Sequence, residues 1–149
     1  MAIQPPLSLK GRALRLLGAR EHSRAELERK LEPFEEEPGS LAEALDALQA
    51  KGFISEQRVL ESVVNRRSAK LGATRIRHEL QGKGLPPEAV MEAVEQLRAT
   101  EVERAREVWL KKFGQPPADA AQRGKQMRFL ASRGFCGDAI RRVVAGDDD

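Results

Sequence analysis

"LQGKGL" at residues 80–85 has two near-copies in this chain, "LQAKGF" at 48–53 and "LASRGF" at 130–135. Each copy has a leucine, a basic residue, a glycine and then a large apolar residue. Glycine adopts the left-handed conformation that often ends a helix, and a cation before it meets the negative end of the helix dipole. The stretches therefore predict three helix ends, at Gly52, Gly84 and Gly134. The following apolar residues should fold back onto the last helical turn, and they are Phe53, Leu85 and Phe135.

The second and third copies lie 50 residues apart, and their similarity continues past the glycine. Val90 corresponds to Ile140, and Val94 corresponds to Val144. A helix, a glycine turn and a second helix are thus written twice, which is typical of a repeat architecture. The first copy ends the third helix of its group rather than the second. Its similarity to the other two copies is weaker, and chance is an acceptable explanation for that similarity.

Helical periodicity runs through the whole chain, and no stretch has sustained strand alternation with turn signals. We predict an all-α fold of about nine helices in tandem three-helix repeats. The repeats are placed at 1–54, 55–98 and 99–146, followed by an acidic tail at 147–149. A short three-helix repeat buries little surface alone, so neighbouring repeats should share surfaces. Stacked repeats form an elongated, curved object whose concave face suits an extended partner.

The composition limits the class of protein. The chain has 149 residues, 40% of them hydrophobic, and no apolar run approaches the roughly 20 residues of a membrane span. The N-terminal sequence lacks the apolar core of a signal peptide. Cys136 is the only cysteine, which excludes an internal disulfide and fits a reducing compartment. We therefore expect a cytoplasmic protein without a membrane segment.

The net charge of +3 is unevenly distributed along the chain. Residues 1–54 carry a net charge of −1, whereas residues 55–98 and 99–149 each carry +2. Basic stretches point to polyanions or acidic protein surfaces as partners. Ordinary solvated helix faces explain any single stretch equally well.

The chain lacks the residue patterns of a catalytic or metal site. Its two histidines, His22 and His78, are expected at the surface, and nearly all of its carboxylates are expected on solvated helix faces. A zinc site needs about four nitrogen or sulfur ligands at suitable spacing, and the sequence has no such set. It also has no glycine-rich GxxxxGK phosphate loop. We therefore expect no enzymatic activity, no metal and no cofactor.

Aromatic residues are scarce, with five Phe, one Trp and no Tyr. Single-strand binding that tolerates any sequence normally uses stacked aromatic side chains. Any direct contact with single- or double-stranded DNA should therefore involve mainly phosphates, and it should be weak and salt-sensitive.

Three stretches resemble successive landmarks of the RecX family of regulatory proteins. They are "HSRAELERKL" at 22–31, "ATRIRHELQGKGLPPEAV" at 73–90 and "MRFLASRGF" at 127–135. Their order and spacing match over nearly the whole chain. The middle motif is the most specific, because helix-end chemistry alone does not require Arg75 and Glu79 within it. The chain departs from the family at Val59 and Leu60, where the family often has an aromatic residue.

The resemblance implies a bacterial cytosolic modulator of the RecA recombinase. The family is built of tandem three-helix repeats in an elongated arc, and its members lie in the helical groove of the RecA–DNA filament. They suppress strand exchange, ATP hydrolysis and co-protease activity, and they oppose filament growth. The implied partner is thus the RecA nucleoprotein filament, and we expect the chain itself to be a monomer. The family has no catalytic residues to carry over.

Basic residues of the middle and last repeats are our candidates for binding the filament or DNA. They are Arg66, Arg67, Lys70, Arg75, Arg77, Lys83, Arg123, Lys125, Arg128 and Arg133. For Arg75 and Lys83, a role in capping their own helix is an equally good explanation.

Two other functions stay open on the sequence alone. Three-helix units with a glycine turn resemble helix-turn-helix modules. The short helix expected at 74–83 offers Arg75, Arg77, His78 and Gln81 to a DNA groove. A purely structural helical adaptor is the third possibility. Titration of labelled DNA with and without a recombinase filament separates the three functions.

The repeat architecture predicts an extended particle. A compact domain of this length has a radius of gyration of about 15 Å, and stacked repeats should exceed that value. Small-angle X-ray scattering of the chain measures the radius directly. A radius at the compact value would rule out the elongated arrangement.

Overall fold

The computed structural model describes residues 7–146, and these form nine α-helices and no β-strand. The first six helices are α1 Leu9–Ala19, α2 Arg24–Leu31, α3 Ser40–Ala50, α4 Glu56–Arg67, α5 Ala73–Gly82 and α6 Pro87–Ala99. The other three are α7 Glu101–Lys112, α8 Ala120–Ser132 and α9 Gly137–Ala145. A short 3₁₀ helix, Glu32–Phe34, follows α2 directly. The prediction of an all-α chain with about nine helices is confirmed.

The chain divides into two compact units. Unit 1 comprises Met1–Ser62 and Lys83–Leu85, and unit 2 comprises Val63–Gly82 and Pro86–Asp149. The division into repeats at 1–54, 55–98 and 99–146 stays a prediction. The predicted acidic tail at 147–149 lies outside the described residues.

Apolar residues at helical spacing form the core of unit 1, where α1, α2 and α3 pack on one another. Ala13, Leu27 and Leu45 are fully buried. Leu41, Leu45 and Leu48 follow one another at intervals of four and three residues, so they share the buried face of α3. Burial of such a leucine stabilises the fold by about 1.5–3 kcal/mol.

Unit 2 has a core of the same kind between α7, α8 and α9. Ala105 of α7 and Leu130 of α8 are fully buried, and α9 adds Ile140, Val143 and Val144. In the same unit α5 packs on α6, and α6 packs on α7. These contacts place α5 and α8, which carry part of the candidate site described below.

The turns after α3 and α8 end their helices with the same hydrogen bond. The Phe53 amide donates to the Leu48 carbonyl at 2.9 Å, and the Phe135 amide donates to the Leu130 carbonyl at 3.3 Å. This bond belongs to the Schellman motif, which satisfies carbonyls that a helix end leaves free. The motif requires a left-handed residue before the donor. The φ angles of Gly52, Gly84 and Gly134 are +83°, +70° and +90°.

Two of these glycines also let a turn approach the start of another helix. A Cβ on Gly134 would lie 2.7 Å from the backbone nitrogen of Arg75, and one on Gly84 would lie 2.7 Å from the Ala25 Cβ. The two contacts are related by the same offset of 50 residues as the sequence similarity. A Cβ on Gly52 would meet no atom of the described residues within 4 Å. Packing therefore requires glycine at Gly84 and Gly134, whereas at Gly52 only the backbone conformation does.

The predicted apolar contact after the glycine is buried in two of the three turns. Leu85 is 6% exposed and Phe135 is 4% exposed. Phe53 is 48% exposed, so its turn leaves about half of its surface open to solvent. The cause is the environment, because the turns of Leu85 and Phe135 lie against a helix start and the turn of Phe53 does not.

His22 is buried, with 1% of its surface exposed, and the prediction that it lies at the surface is wrong. Its Nδ1 donates to the Arg20 carbonyl at 3.0 Å, and its Nε2 accepts from the Lys30 ammonium at 3.0 Å. Burial lowers the pKa of His22; the bond to the Arg20 carbonyl opposes this, and the nearby charges of Arg20 and Lys30 lower it further. His22 is therefore a neutral residue of the core, whereas His78 is exposed as expected.

Glu26 is a second buried polar residue of unit 1, and it is an exception to the expectation that nearly all carboxylates are solvated. It accepts hydrogen bonds from Arg20 at 2.7 Å, from the Ser23 amide at 3.1 Å and from Lys83 at 3.1 Å. Burial by itself raises the pKa of Glu26, but these three hydrogen bonds outweigh it and lower the pKa to about 2. Glu26 thus fixes the start of α2 to the turn that contains Lys83.

The packing role of Gly134 predicts that alanine costs more stability there than at Gly52. Both substitutions place a side chain at positive φ, which costs about 1–2 kcal/mol. Only Gly134→Ala also displaces Arg75 from its position against the turn, which should cost about 1–3 kcal/mol of additional stability. Thermal unfolding followed by circular dichroism measures both variants, with Gly52→Ala as the matched control. Equal melting temperatures would contradict the packing role.

The buried carboxylate of Glu26 should contribute to the free energy of unfolding by an amount that depends on pH. Folding lowers its pKa from 4.5 to about 2, so the contribution is complete above pH 4.5 and is lost as the pH falls through about 2. Glu26→Gln should lower the free energy of unfolding by about 2 kcal/mol near neutral pH. That difference should disappear across the same acidic window.

Urea denaturation of the parent and Glu26→Gln at several pH values measures this difference. Glu28→Gln is the control, because Glu28 lies on the same helix and is half exposed in its pair with Arg24. A difference for Glu26→Gln that stays constant down to the most acidic pH would show that its charge is not the cause.

Candidate functional site

Glu101, at the start of α7, is buried and binds the starts of two other helices in unit 2. Its Oε1 accepts from the Ala73 amide at the start of α5, at 2.6 Å. Its Oε2 accepts from the Cys136 amide, just before α9, at 3.4 Å. A carboxylate is favourable at both places, because a helix N-terminus has free N–H groups and a partial positive charge. Glu101 is therefore a second exception to the expectation that nearly all carboxylates lie on solvated helix faces.

Arg104, one turn later in α7, does the same for helix C-termini. Its guanidinium donates to the Ser68 and Leu71 carbonyls, after α4, at 3.0 Å and 2.7 Å. It also donates to the Leu97 carbonyl, near the end of α6, at 2.7 Å. Burial lowers the pKa of Arg104, and the Glu101 carboxylate, 3.7 Å away, partly offsets that effect. The Glu101–Arg104 pair therefore holds the ends of four helices.

The turn after α8 joins the same region of unit 2. The Gly72 amide donates to the Arg133 carbonyl at 2.8 Å, and the Thr74 amide donates to the Gly134 carbonyl at 3.3 Å. A Cβ on Gly72 would lie 2.5 Å from the Phe135 nitrogen, so only glycine fits there. The basic residues at the end of α4, in α5 and at the end of α8 are thus held on rigidly connected elements.

Four of the ten predicted binding residues have partners within the chain, and two of these are Arg67 and Arg75. Arg67 pairs with Glu79 at 3.2 Å. Arg75 donates to the Ser132 carbonyl, at the end of α8, at 2.7 Å. Arg75 therefore caps a neighbouring helix rather than its own. These contacts explain why the most specific sequence motif contains Arg75 and Glu79, since each joins α5 to another segment of unit 2.

Lys83 and Arg133 are the other two residues with partners. The Lys83 ammonium lies 3.1 Å from the Glu26 carboxylate in unit 1, and 14% of the Lys83 side chain is exposed. The Arg133 guanidinium lies 4.9 Å from the centre of the Phe129 ring, and the Lys112 ammonium lies 5.4 Å from that centre. Both are cation–π contacts. The spacing of four residues between Phe129 and Arg133 on a helical pattern was the available sequence signal for this contact.

The remaining six candidates are exposed and have no hydrogen bond or ion pair from their side chains to any residue from 7 to 146. We call them the free cations, and they are Arg66, Lys70, Arg77, Arg123, Lys125 and Arg128. All of them belong to unit 2. A cation without an internal partner keeps its attraction for an external anionic surface. The free cations are therefore the part of the predicted site that is available to a partner.

Neither a metal centre nor a membrane span is found in the described part of the chain. No group of three His, Cys, Asp or Glu side chains there could hold a metal ion. No helix between residues 7 and 146 is long and apolar enough to cross a membrane. Cys136 is exposed and has a free thiol.

Two models of three-helix domains match the chain. Residues 55–94 match the second three-helix domain of RecX, and residues 99–144 match the third. A crystal structure of RecX from Lactobacillus salivarius is similar, with a TM-score of 0.78 and 22% sequence identity over 94% of each chain. At this identity the structural likeness supports the fold alone.

Sequence relatives match over nearly the whole length. The regulatory protein RecX of Leptothrix cholodnii is 55% identical over 141 residues, which cover 95% of this chain and 90% of that relative. The regulatory protein RecX of Ralstonia nicotianae is 46% identical and covers 96% of this chain and 90% of that relative. This chain therefore belongs to the RecX family of regulatory proteins.

Proposed function

We propose that this chain is a negative regulator of RecA that binds the RecA–DNA filament and inhibits its recombinase, ATPase and co-protease activities. The observation that carries the proposal is the 55% identity to a regulatory protein RecX over 95% of the chain. The chain acts without catalysis and as a monomer in dilute solution. The cytoplasm, where RecA filaments form, is its place of action.

Attraction between the free cations and the filament supports this proposal physically. DNA within a filament presents a negative phosphate at every nucleotide. The free cations have no ion pair with a carboxylate of residues 7–146, so binding through them breaks no ion pair among those residues. Such attraction speeds association and is screened over about 8 Å at physiological ionic strength.

The Glu101–Arg104 pair supplies the free cations with a rigid support. Arg66 and Lys70 flank the end of α4, and Arg104 binds the carbonyls of two residues that follow this helix. Arg77 lies in α5, whose start Glu101 binds. A preorganised set of charges loses less conformational entropy when it binds a partner. Inhibition in this proposal is steric, because unit 2 occupies filament surface that strand exchange needs.

A direct DNA-binding module is the second candidate, and one observation favours it. α5 exposes Arg77, His78 and Gln81, and these residue types contact bases or phosphates in DNA grooves. Arg75 is engaged with the Ser132 carbonyl and contributes less than its sequence position indicates. On this alternative, naked DNA rather than the filament is the preferred target.

Charge reversal at two free cations tests the proposed site. Arg66→Glu combined with Lys70→Glu avoids the ion-paired Arg67 and should leave the fold intact. It should weaken inhibition of RecA ATP hydrolysis on single-stranded DNA by about tenfold at low salt, and by less at high salt. Lys10→Glu combined with Arg15→Glu is the matched control, because it reverses two exposed cations of unit 1 that form no ion pair with another described residue.

Titration of naked DNA in parallel separates the two candidate functions. A filament inhibitor should lose more affinity for the filament than for naked DNA, and a DNA-binding module should show the reverse order. If the folded double variant inhibits as well as the parent, the free cations of α4 are not the site. If the parent itself does not inhibit a RecA filament, the proposed function is wrong.

A further inference from the structure

We propose that copies of this chain associate head to tail, with the turn at residues 51–53 of one copy bound to the start of α8 in the next copy. The contact is a third instance of one that the chain makes twice internally. It rests on the geometry of the two internal contacts and does not depend on the proposed function.

The first internal contact lies in unit 1, where the turn after α5 covers the start of α2. The Ser23 hydroxyl, at the N-cap of α2, donates to the Lys83 carbonyl at 2.6 Å. The Lys83 ammonium binds Glu26, the third residue of the helix, at 3.1 Å. Gly84 lies against Ala25, the second residue, and the apolar residue after the glycine is buried. This turn therefore binds a helix start with a polar N-cap, a small second residue and an acid at the third.

The second internal contact lies in unit 2, where the turn after α8 covers the start of α5. The Gly72 amide, next to Ala73 at the start of α5, donates to the Arg133 carbonyl at 2.8 Å. Gly134 lies against Arg75, and Phe135 is buried. In both units the carbonyl of the basic residue accepts a hydrogen bond from the residue that precedes the helix. The glycine turn and its carbonyl acceptor thus recur in both contacts, whereas the polar N-cap, the small second residue and the acid at the third belong to α2 alone of the two covered helices.

The turn at 51–53 has the same backbone geometry but is not covered. Within residues 7–146 no hydrogen bond reaches the Lys51 carbonyl. Phe53 is 48% exposed, whereas its counterparts in the other two turns are buried. Arg58 keeps the turn rigid by donating to the Gly52 and Phe53 carbonyls at 2.7 Å and 3.3 Å. A rigid turn with an exposed aromatic residue is preorganised to bind.

The start of α8 is the matching surface, and it receives no turn from the described residues. Asp119 caps α8 by accepting from the Gln122 amide at 2.8 Å, which is the cap geometry that Ser23 provides for α2. Ala121 is the second residue of α8, as Ala25 is of α2. Asp119, Ala121 and Gln122 are all exposed.

The turn and the α8 start complement each other in charge and in shape. In the proposed contact Lys51 meets the carboxylate of Asp119 and the side-chain oxygen of Gln122, which also accepts from the Ala118 amide at 2.8 Å. Gly52 leaves room for Ala121. The two surfaces are different patches of one chain, so the association is heterologous and continues from copy to copy.

The contact is small and therefore weak. One turn on one helix start buries less than the roughly 1,200 Å² that stable interfaces need. Copies are therefore separate in dilute solution and associate at high concentration, or where a common support brings them together.

Sedimentation velocity of the full chain from about 10 µM to about 1 mM tests the contact. The weight-average sedimentation coefficient of the parent should rise with concentration without a plateau at the dimer. Gln122→Glu should strengthen association about twofold to fivefold. The new carboxylate can pair with Lys51 of the neighbouring copy, as Glu26 pairs with Lys83 within the chain. Phe53→Asp should weaken it about tenfold or more. Met91→Asp, at another exposed apolar residue, is the matched control and should have no effect.

A sedimentation coefficient that stays constant over this range overturns the proposal. Association that is unchanged by both Phe53→Asp and Gln122→Glu also overturns it, because the copies then meet through another surface. If the parent does not associate but Phe53→Asp weakens inhibition of a RecA filament, the turn binds a filament subunit instead of a second copy. Circular dichroism shows which variants fold, and Gln122→Glu keeps the test decisive because an acid is favourable at a helix start.

Discussion

The close approach of a glycine turn to a helix start is the constraint on which both units depend. At Gly134 and at Gly84 a single added carbon would collide with the facing helix, so the glycine backbone meets that helix with no side chain of its own in between. That distance lets the carbonyl of the preceding basic residue accept a hydrogen bond from the facing helix start. Each contact consequently fixes both the position and the direction of the helix that it covers.

Buried carboxylates complete these contacts. Glu26 in unit 1 and Glu101 in unit 2 each bind the N-terminus of a helix, where a negative charge is favourable. A cation stands beside each of them, Lys83 in one case and Arg104 in the other. Three charged residues of the most specific sequence motif, Arg75, Glu79 and Lys83, are engaged in contacts within the chain. Arg77 of the same motif and cations outside it, such as Arg66, remain available to a partner.

Much of the fold could be predicted from the sequence because its signals are local. Apolar spacing and glycine turns indicate nine helices without any knowledge of distant contacts. The burial of His22 could not be predicted, because it depends on the Arg20 carbonyl and the Lys30 ammonium that surround the ring. Glu101 lies in a charged stretch whose sequence is typical of a solvated helix face. Its carboxylate nevertheless binds the amides of Ala73 and Cys136, which are 28 and 35 residues away in the sequence. The charge distribution likewise indicated residues 55–98 and 99–149 as the location of the binding surface. It could not distinguish the paired Lys83 from the free Lys70, since the pairing depends on the distant Glu26.

Hydrogen–deuterium exchange of the chain, alone and bound to RecA filaments on single-stranded DNA, tests most directly whether unit 2 carries the binding surface. We expect amide exchange to slow on binding at residues 66–77 and 123–133, where the free cations lie, and to stay unchanged in α1. Slower exchange confined to α1 and α2, with residues 66–77 and 123–133 unaffected in the bound state, would contradict the assignment of the binding surface to unit 2.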